Sequence, residues 1–124
     1  MTKPHILYVE DDEINGFVVQ SMLRSYCTVD IATNPAEAMS AVGSVAYPLI
    51  LMDINLGEDE MDGVELTRRI RALPGYHSVP IFAVTAFAMP GDEERFLSEG
   101  FDRYFPKPVQ KEDLLAGLQQ YLGG

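Results

Sequence analysis

The chain has 124 residues, of which 47% are hydrophobic and 23% charged, and it carries a net charge of −10. That length suits one domain around one core, and the acid excess argues against binding nucleic acid or anionic membranes, both of which need basic patches. The single cysteine, Cys27, can form no internal disulfide, no apolar signal region opens the chain and no run reaches membrane-spanning length, so a reducing cytoplasm is expected.

The elements alternate along the chain. "HILYV" (5–9) reads as a strand, and "EDDE" (10–13) follows it. Ile14, Phe17, Val18 and Met22 then form an apolar stripe at helical spacing. A second strand, "TVDIA" (28–32), leads into Asn34, Pro35 and Glu37, a helix start with an N-cap and a proline at the first position. Met39, Val42 and Ala46 carry that helix. "PLILM" (48–52) is a strand without polar alternation, and it runs into Asp53. Four more acids follow, Glu58, Asp59, Glu60 and Asp62.

Leu66, Ile70 and Leu73 mark a third helix, and "VPIFAV" (79–84) a fourth strand ending at Thr85. A weaker helix over 89–99 stops at Gly100. "DRYF" (102–105) is the fifth strand, followed by Lys107 in "FPKP", and Leu114, Leu115, Leu118, Tyr121 and Leu122 form the last helix. Five strands alternating strictly with five helices specify an α/β fold: a parallel sheet with helices on both faces. The fifth helix uses up the chain, so 1–124 is expected to be one domain with no output domain.

Ligands of open parallel sheets bind beyond the carboxyl ends of the strands, where the strand order reverses. Those ends carry Glu10, Asp11 and Asp12, then Asp53, Thr85 and Lys107. If the order is 2-1-3-4-5, the first three acids face Asp53, with Thr85 and Lys107 flanking. Crowded carboxylates raise one another's pKa unless a cation intervenes, and Mg2+ is the natural cation for a few carboxylates plus a phosphate. A carboxylate can itself attack phosphorus to give an aspartyl phosphate. The cation, Lys107 and the Thr85 hydroxyl then account for the three phosphoryl oxygens.

At this point the sequence resembles a bacterial response-regulator receiver domain of two-component systems. "ILYVEDDEIN", "LILMDINL…MDG", "FAVTAFA" and "YFPKP" match that family's motifs in order and spacing over essentially the whole chain. "VTAFAMPGDEER" is similar to stand-alone receivers of the DivK type. The resemblance implies a flavodoxin-like (βα)5 fold with strand order 2-1-3-4-5. It implies that Asp53 is the phosphoacceptor and that Glu10 and Asp11 are the metal-binding acid pair, with Asp12 a further acid beside them. Asn55 would ligate the metal through its backbone carbonyl. Mg2+ is the implied cofactor, with Mn2+ able to substitute. Thr85 would be the switch hydroxyl, Tyr104 the aromatic switch and Lys107 the phosphate contact, with a cis Lys107–Pro108 bond.

The implied partners are a sensor histidine kinase or histidine phosphotransfer protein, and a downstream protein target reached through the surface of the fourth helix, fifth strand and fifth helix. Neither nucleic acid nor membrane is expected as a partner. No activity on a separate substrate is expected, only the chain's own phosphorylation and its slow loss. Asn55 and Phe87, two residues beyond Asp53 and Thr85, flank the phosphoryl group in this fold, and neither is a good base for activating water. The sequence departs from the family pattern at Gly57, which stands where many receivers have proline, and in an acidic loop, 57–63, about two residues longer than usual.

Two rivals differ in class. A haloacid-dehalogenase-type phosphatase also uses a strand-end aspartate and Mg2+, but needs a second aspartate where Asn55 stands. A receiver-like interaction module that is never phosphorylated typically lacks the acid, threonine and lysine set present here.

Overall fold

The computed structural model describes residues 3–55, 62–86 and 89–123. The elements are β1 His5–Val9, α1 Glu13–Met22, β2 Thr28–Ala32, α2 Pro35–Ser44, β3 Ile50–Asp53, α3 Gly63–Arg71, β4 Ile81–Thr85, α4 Asp92–Ser98, β5 Arg103–Pro106 and α5 Lys111–Leu122. The strands form one parallel sheet in the order β2-β1-β3-β4-β5, as the sequence predicts.

Both faces of the sheet are buried, which explains the unbroken apolar runs. Leu7, Val9, Ile50, Met52, Ile81 and Ala83 meet residues of α2, α3 and α4 on one face. Ile6, Tyr8, Leu49, Leu51, Phe82 and Val84 meet α1 and α5 on the other. Alternation along each strand sends neighbouring side chains to these two cores.

The third and fourth strands end at Asp53 and Thr85 as expected, and the fifth runs one residue further, to Pro106. Asp53 pairs with Val84 in the ladder, and Thr85 with Pro106. The polar residues are thus part of the sheet rather than of the loops after it. The helix signals behave as read at α2, where the Asn34 side chain accepts from the Glu37 N–H at 2.8 Å behind Pro35. Glu37 itself reaches back to the N–H and hydroxyl of Thr33. Gly100 sits at φ +107° beyond α4, the left-handed stop that glycine tolerates.

Helix α1 reverses one expectation. The stripe of large apolar residues faces outward, with Ile14 75% exposed, Phe17 63% and Val18 44%. The buried side is Gly16 and Val19, continued by Leu23 just past the helix. The helix meets the sheet edge at Gly16, where a Cβ would be in ordinary contact with the Ile31 side chain, at 3.4 Å. Periodicity weighted by side-chain size picks the bulkier stripe, whereas the side that meets the sheet is Gly16 and Val19. Among the described residues, no helix is long and apolar enough to cross a membrane.

Candidate phosphoacceptor and metal site

The carboxyl ends of β1, β3, β4 and β5 converge. Asp53 closes β3 and is 2% exposed, and Glu10, directly after β1, is fully buried. Their carboxylates and that of the exposed Asp11 offer oxygen atoms all within 4.8 Å of one another. Lys107 lies over the pair. Its Nζ donates to Glu10 Oε1 at 2.6 Å and stands 3.4 Å from Asp53 Oδ2. Its backbone N–H donates to the Thr85 carbonyl at 2.8 Å, so lysine and threonine are fixed to each other through the edge of the sheet. The Lys107–Pro108 peptide is cis.

Three carboxylates therefore share one lysine. Burial first, and then the neighbouring Glu10, push the pKa of Asp53 up to about 7. Burial opposes the charge of Glu10 too, but its contacts with Asp53, Lys107 and Tyr8 hold it below the ordinary value. Asp11 is raised by burial and by Glu10. A hard divalent cation fits this donor set, since it takes oxygen ligands and relieves repulsion that a single ammonium leaves in place.

Asn55 is exposed. Its backbone N–H donates to Asp53 Oδ1 at 3.1 Å, and its amide donates to the Thr85 hydroxyl at 3.3 Å. The phosphoacceptor candidate and the hydroxyl candidate are thus joined through one residue. Thr85 is 1% exposed. Tyr104 pairs with Ala83, two residues before Thr85 and on the same face of β4. Its ring stacks on Phe96 of α4 at 5.8 Å between centroids, so it packs between β5 and α4, away from the acids.

Asp12 has a different place from the one expected. Its Oδ1 accepts from the backbone N–H groups of Ile14 and Asn15 at 2.8 and 3.1 Å, capping α1, and it stands outside the acid cluster. Asp62 likewise caps α3 by accepting from the Glu65 N–H. Phe87, Gly57 and the loop acids Glu58, Asp59 and Glu60 lie outside the described residues.

Two further residues matter: Tyr8, which motif reading passed over, and Gly63, which the "MDG" motif matches without giving its reason. Tyr8 is 1% exposed, and its hydroxyl donates to Glu10 Oε1 at 2.8 Å. Its position two residues before an acid at the strand end, hence on the same face, was the available signal. Gly63 opens α3 directly against the end of β3. A Cβ there would collide with the Asp53 carbonyl oxygen and come within 2.9 Å of the Ile54 Cα, so only glycine admits this close approach to the phosphoacceptor candidate.

Comparison with known proteins agrees with this arrangement. A polar-differentiation response regulator, DivK, of Brucella ovis is 35% identical over 124 residues, covering 99% of this chain and 98% of that protein. Histidine kinase 5 of Arabidopsis thaliana is 33% identical over 148 residues, but the match takes in only 16% of that much longer protein. The receiver domain of a sensor histidine kinase from Pseudomonas aeruginosa PAO1 superposes with a TM-score of 0.85 at 37% identity, covering 99% of this chain and all of that one, and it holds a magnesium ion in its active site cleft. The family model for the response regulator receiver domain matches residues 6–119, and with the acids, threonine and lysine gathered at one sheet edge the chain belongs to that family of two-component signalling domains.

Proposed function

We propose that the chain receives a phosphoryl group on Asp53 from a phosphohistidine of a sensor histidine kinase or histidine phosphotransfer protein, and passes the signal to another protein. The observation that carries this reading is the setting of Asp53: a buried strand-end carboxylate, 3.4 Å from Lys107 and clustered with Glu10 and Asp11. In the transfer an Asp53 oxygen bonds to phosphorus as the phosphorus–nitrogen bond breaks, and the electron pair stays on the departing imidazole nitrogen. Glu10, Asp11, Asp53 and the Asn55 backbone carbonyl would hold Mg2+, or Mn2+ in its place, which neutralises charge on the phosphoryl oxygens and lowers the barrier to transfer. Lys107 moves its ammonium from Glu10 to a second oxygen. Thr85 turns its hydroxyl from the Asn55 amide to a third.

Withdrawal of the Thr85 hydroxyl makes room on the face that Tyr104 shares. Tyr104 then leaves its stack on Phe96, and the surface of α4, β5 and α5 is altered for a downstream protein. The chain acts as a regulator rather than on a separate substrate. The outward apolar face of α1 favours a protein donor. It begins immediately after the acids and continues through Val18 into a cavity of about 80 Å3 beside Lys107, lined also by Met22, Pro108 and Val109. A helical partner docked there would place its phosphohistidine at the strand ends.

Incubation with a small acyl phosphate and Mg2+, followed by intact mass, tests the reading. One added phosphoryl group is expected, absent without Mg2+ and absent in Asp53→Asn. A phosphoryl adduct that survives in Asp53→Asn sinks the proposal. After removal of the donor, the same measurement follows the loss of phosphate. We expect slow decay in the parent and decay several-fold faster, about 3-fold or more, in Phe87→Ala, because the family resemblance assigns the position two beyond Thr85 to the flank of the phosphoryl group, where a bulky residue would exclude attacking water. An unchanged rate removes Phe87 from the account.

A further inference from the structure

We propose that Tyr8 is a positioning residue of the site: its hydroxyl clamps one oxygen of Glu10, which presents the other oxygen to the cation and frees Lys107 to leave for the phosphoryl group. The inference rests on the reading of Glu10 as a metal-binding acid.

The geometry begins in the sheet. Tyr8 and Glu10 are two residues apart on one extended segment, so their side chains leave the same face. The ring of Tyr8 is anchored in the core shared with α1 and α5, and only its hydroxyl reaches the sheet edge. Glu10 has one methylene more than aspartate, which extends its carboxylate but adds a rotor to be fixed. Three donors fix it. Tyr8 Oη and Lys107 Nζ both donate to Oε1, at 2.8 and 2.6 Å, whereas Oε2 receives the Asp12 backbone N–H at 3.2 Å. The short, charge-assisted contacts all fall on one oxygen. Oε2 takes only the longest hydrogen bond of the three and is the oxygen on the side of the other acids, left for a cation.

The clamp also bears on the exchange of partners by Lys107. Glu10 is fully buried, and a buried carboxylate that loses a donor keeps the cost of its lost hydration. Without Tyr8, departure of Lys107 would strip Oε1 of both its donors, and Glu10 would retain the lysine. With Tyr8, Oε1 stays satisfied while the ammonium swings toward Asp53. Groups behind a metal ligand commonly act in this way, by setting the ligand's direction rather than by touching the metal.

The test is a double-mutant cycle read by calorimetric Mg2+ affinity on the full chain, with acyl phosphate labelling rate as a second reading. Tyr8→Phe keeps the ring and removes only the hydroxyl. It is expected to weaken Mg2+ binding about 10-fold and to slow labelling, with a cooperative thermal transition retained. Glu10→Asp shortens the acid beyond reach of the hydroxyl, so in that background Tyr8→Phe is expected to change Mg2+ affinity less than about 2-fold. Equal Mg2+ affinity in Tyr8→Phe and the parent overturns the proposal. So does an equal loss in both backgrounds, which would mark Tyr8 as a packing residue alone. Failure of the phosphoacceptor reading shows separately, as absence of Asp53-dependent labelling in the parent while the affinities remain measurable.

Discussion

Asp53 binds its proton far more tightly than an ordinary aspartate because it is buried and because Glu10, beside it, is kept ionised by Tyr8 and Lys107. The consequence for stability has a definite sign. A carboxyl that titrates near 3.8 in the unfolded chain and at about 7 in the folded one favours the folded state fully at acid pH. That contribution is lost as pH rises from about 4 through about 7, since the folded chain must then give up a proton at a cost. Asp53→Asn removes the charge and the titration together. Without divalent cations at pH 8, we expect it to be more stable than the parent by about 1–2 kcal/mol in urea unfolding. The difference should shrink below pH 5 and again when Mg2+ is added. A difference independent of pH would contradict the assignment of burial and Glu10 as its causes.

At the scale of elements, α1 shows where sequence pattern misleads. The strands were legible because burial on both faces leaves continuous apolar runs, and α2 because Asn34 and Pro35 mark its start. Helix α1 offers two apolar stripes, and the one with more hydrocarbon is the one left in solvent. Its inward side is Gly16 and Val19, continued by Leu23, and Gly16 adds nothing to a count of apolar side chains. The outward stripe contributes little to holding the fold, and in the proposed function it is the face offered to the phosphoryl donor. Phe17→Ser should leave acyl phosphate labelling and the thermal midpoint nearly unchanged, because Phe17 is mostly exposed, while slowing transfer from a phosphorylated histidine phosphotransfer domain by about 10-fold, the loss typical of an apolar anchor at an interface. Equal slowing with both donors would place the effect in the site instead. The start of α3 makes a related point: Gly63 lies against the backbone of Asp53, so the helix braces the strand end that carries Asp53.

Across the whole molecule, the site was legible to the extent that its residues sit directly after strands. Asp53, Glu10, Asp11, Thr85 and Lys107 could be placed together once the sheet order was supposed, because a parallel sheet gathers all its carboxyl ends on one edge. Contacts set by side-chain reach were not legible. The order of residues does not say that the Asn55 amide turns to Thr85; it puts Asp12 at the start of α1 and Tyr8 on the face of Glu10, but not the contacts that each makes. Tyr104 lay between these cases: its register was given by its spacing from Lys107, but its stack on Phe96 depends on how α4 packs.

The contact between Lys107 and Glu10 spans 97 positions of the sequence, joining the first strand to the last. The acids are made early in synthesis and the lysine late. A growing chain, or one whose last strand has not yet docked, has the three carboxylates without the ammonium that balances them. Long-range contacts of this kind form late in folding, since much of the chain must be ordered before they can close. If Asp53 accepts phosphate as proposed, a chain whose last strand has not docked lacks the lysine of that site and would be a poor acceptor.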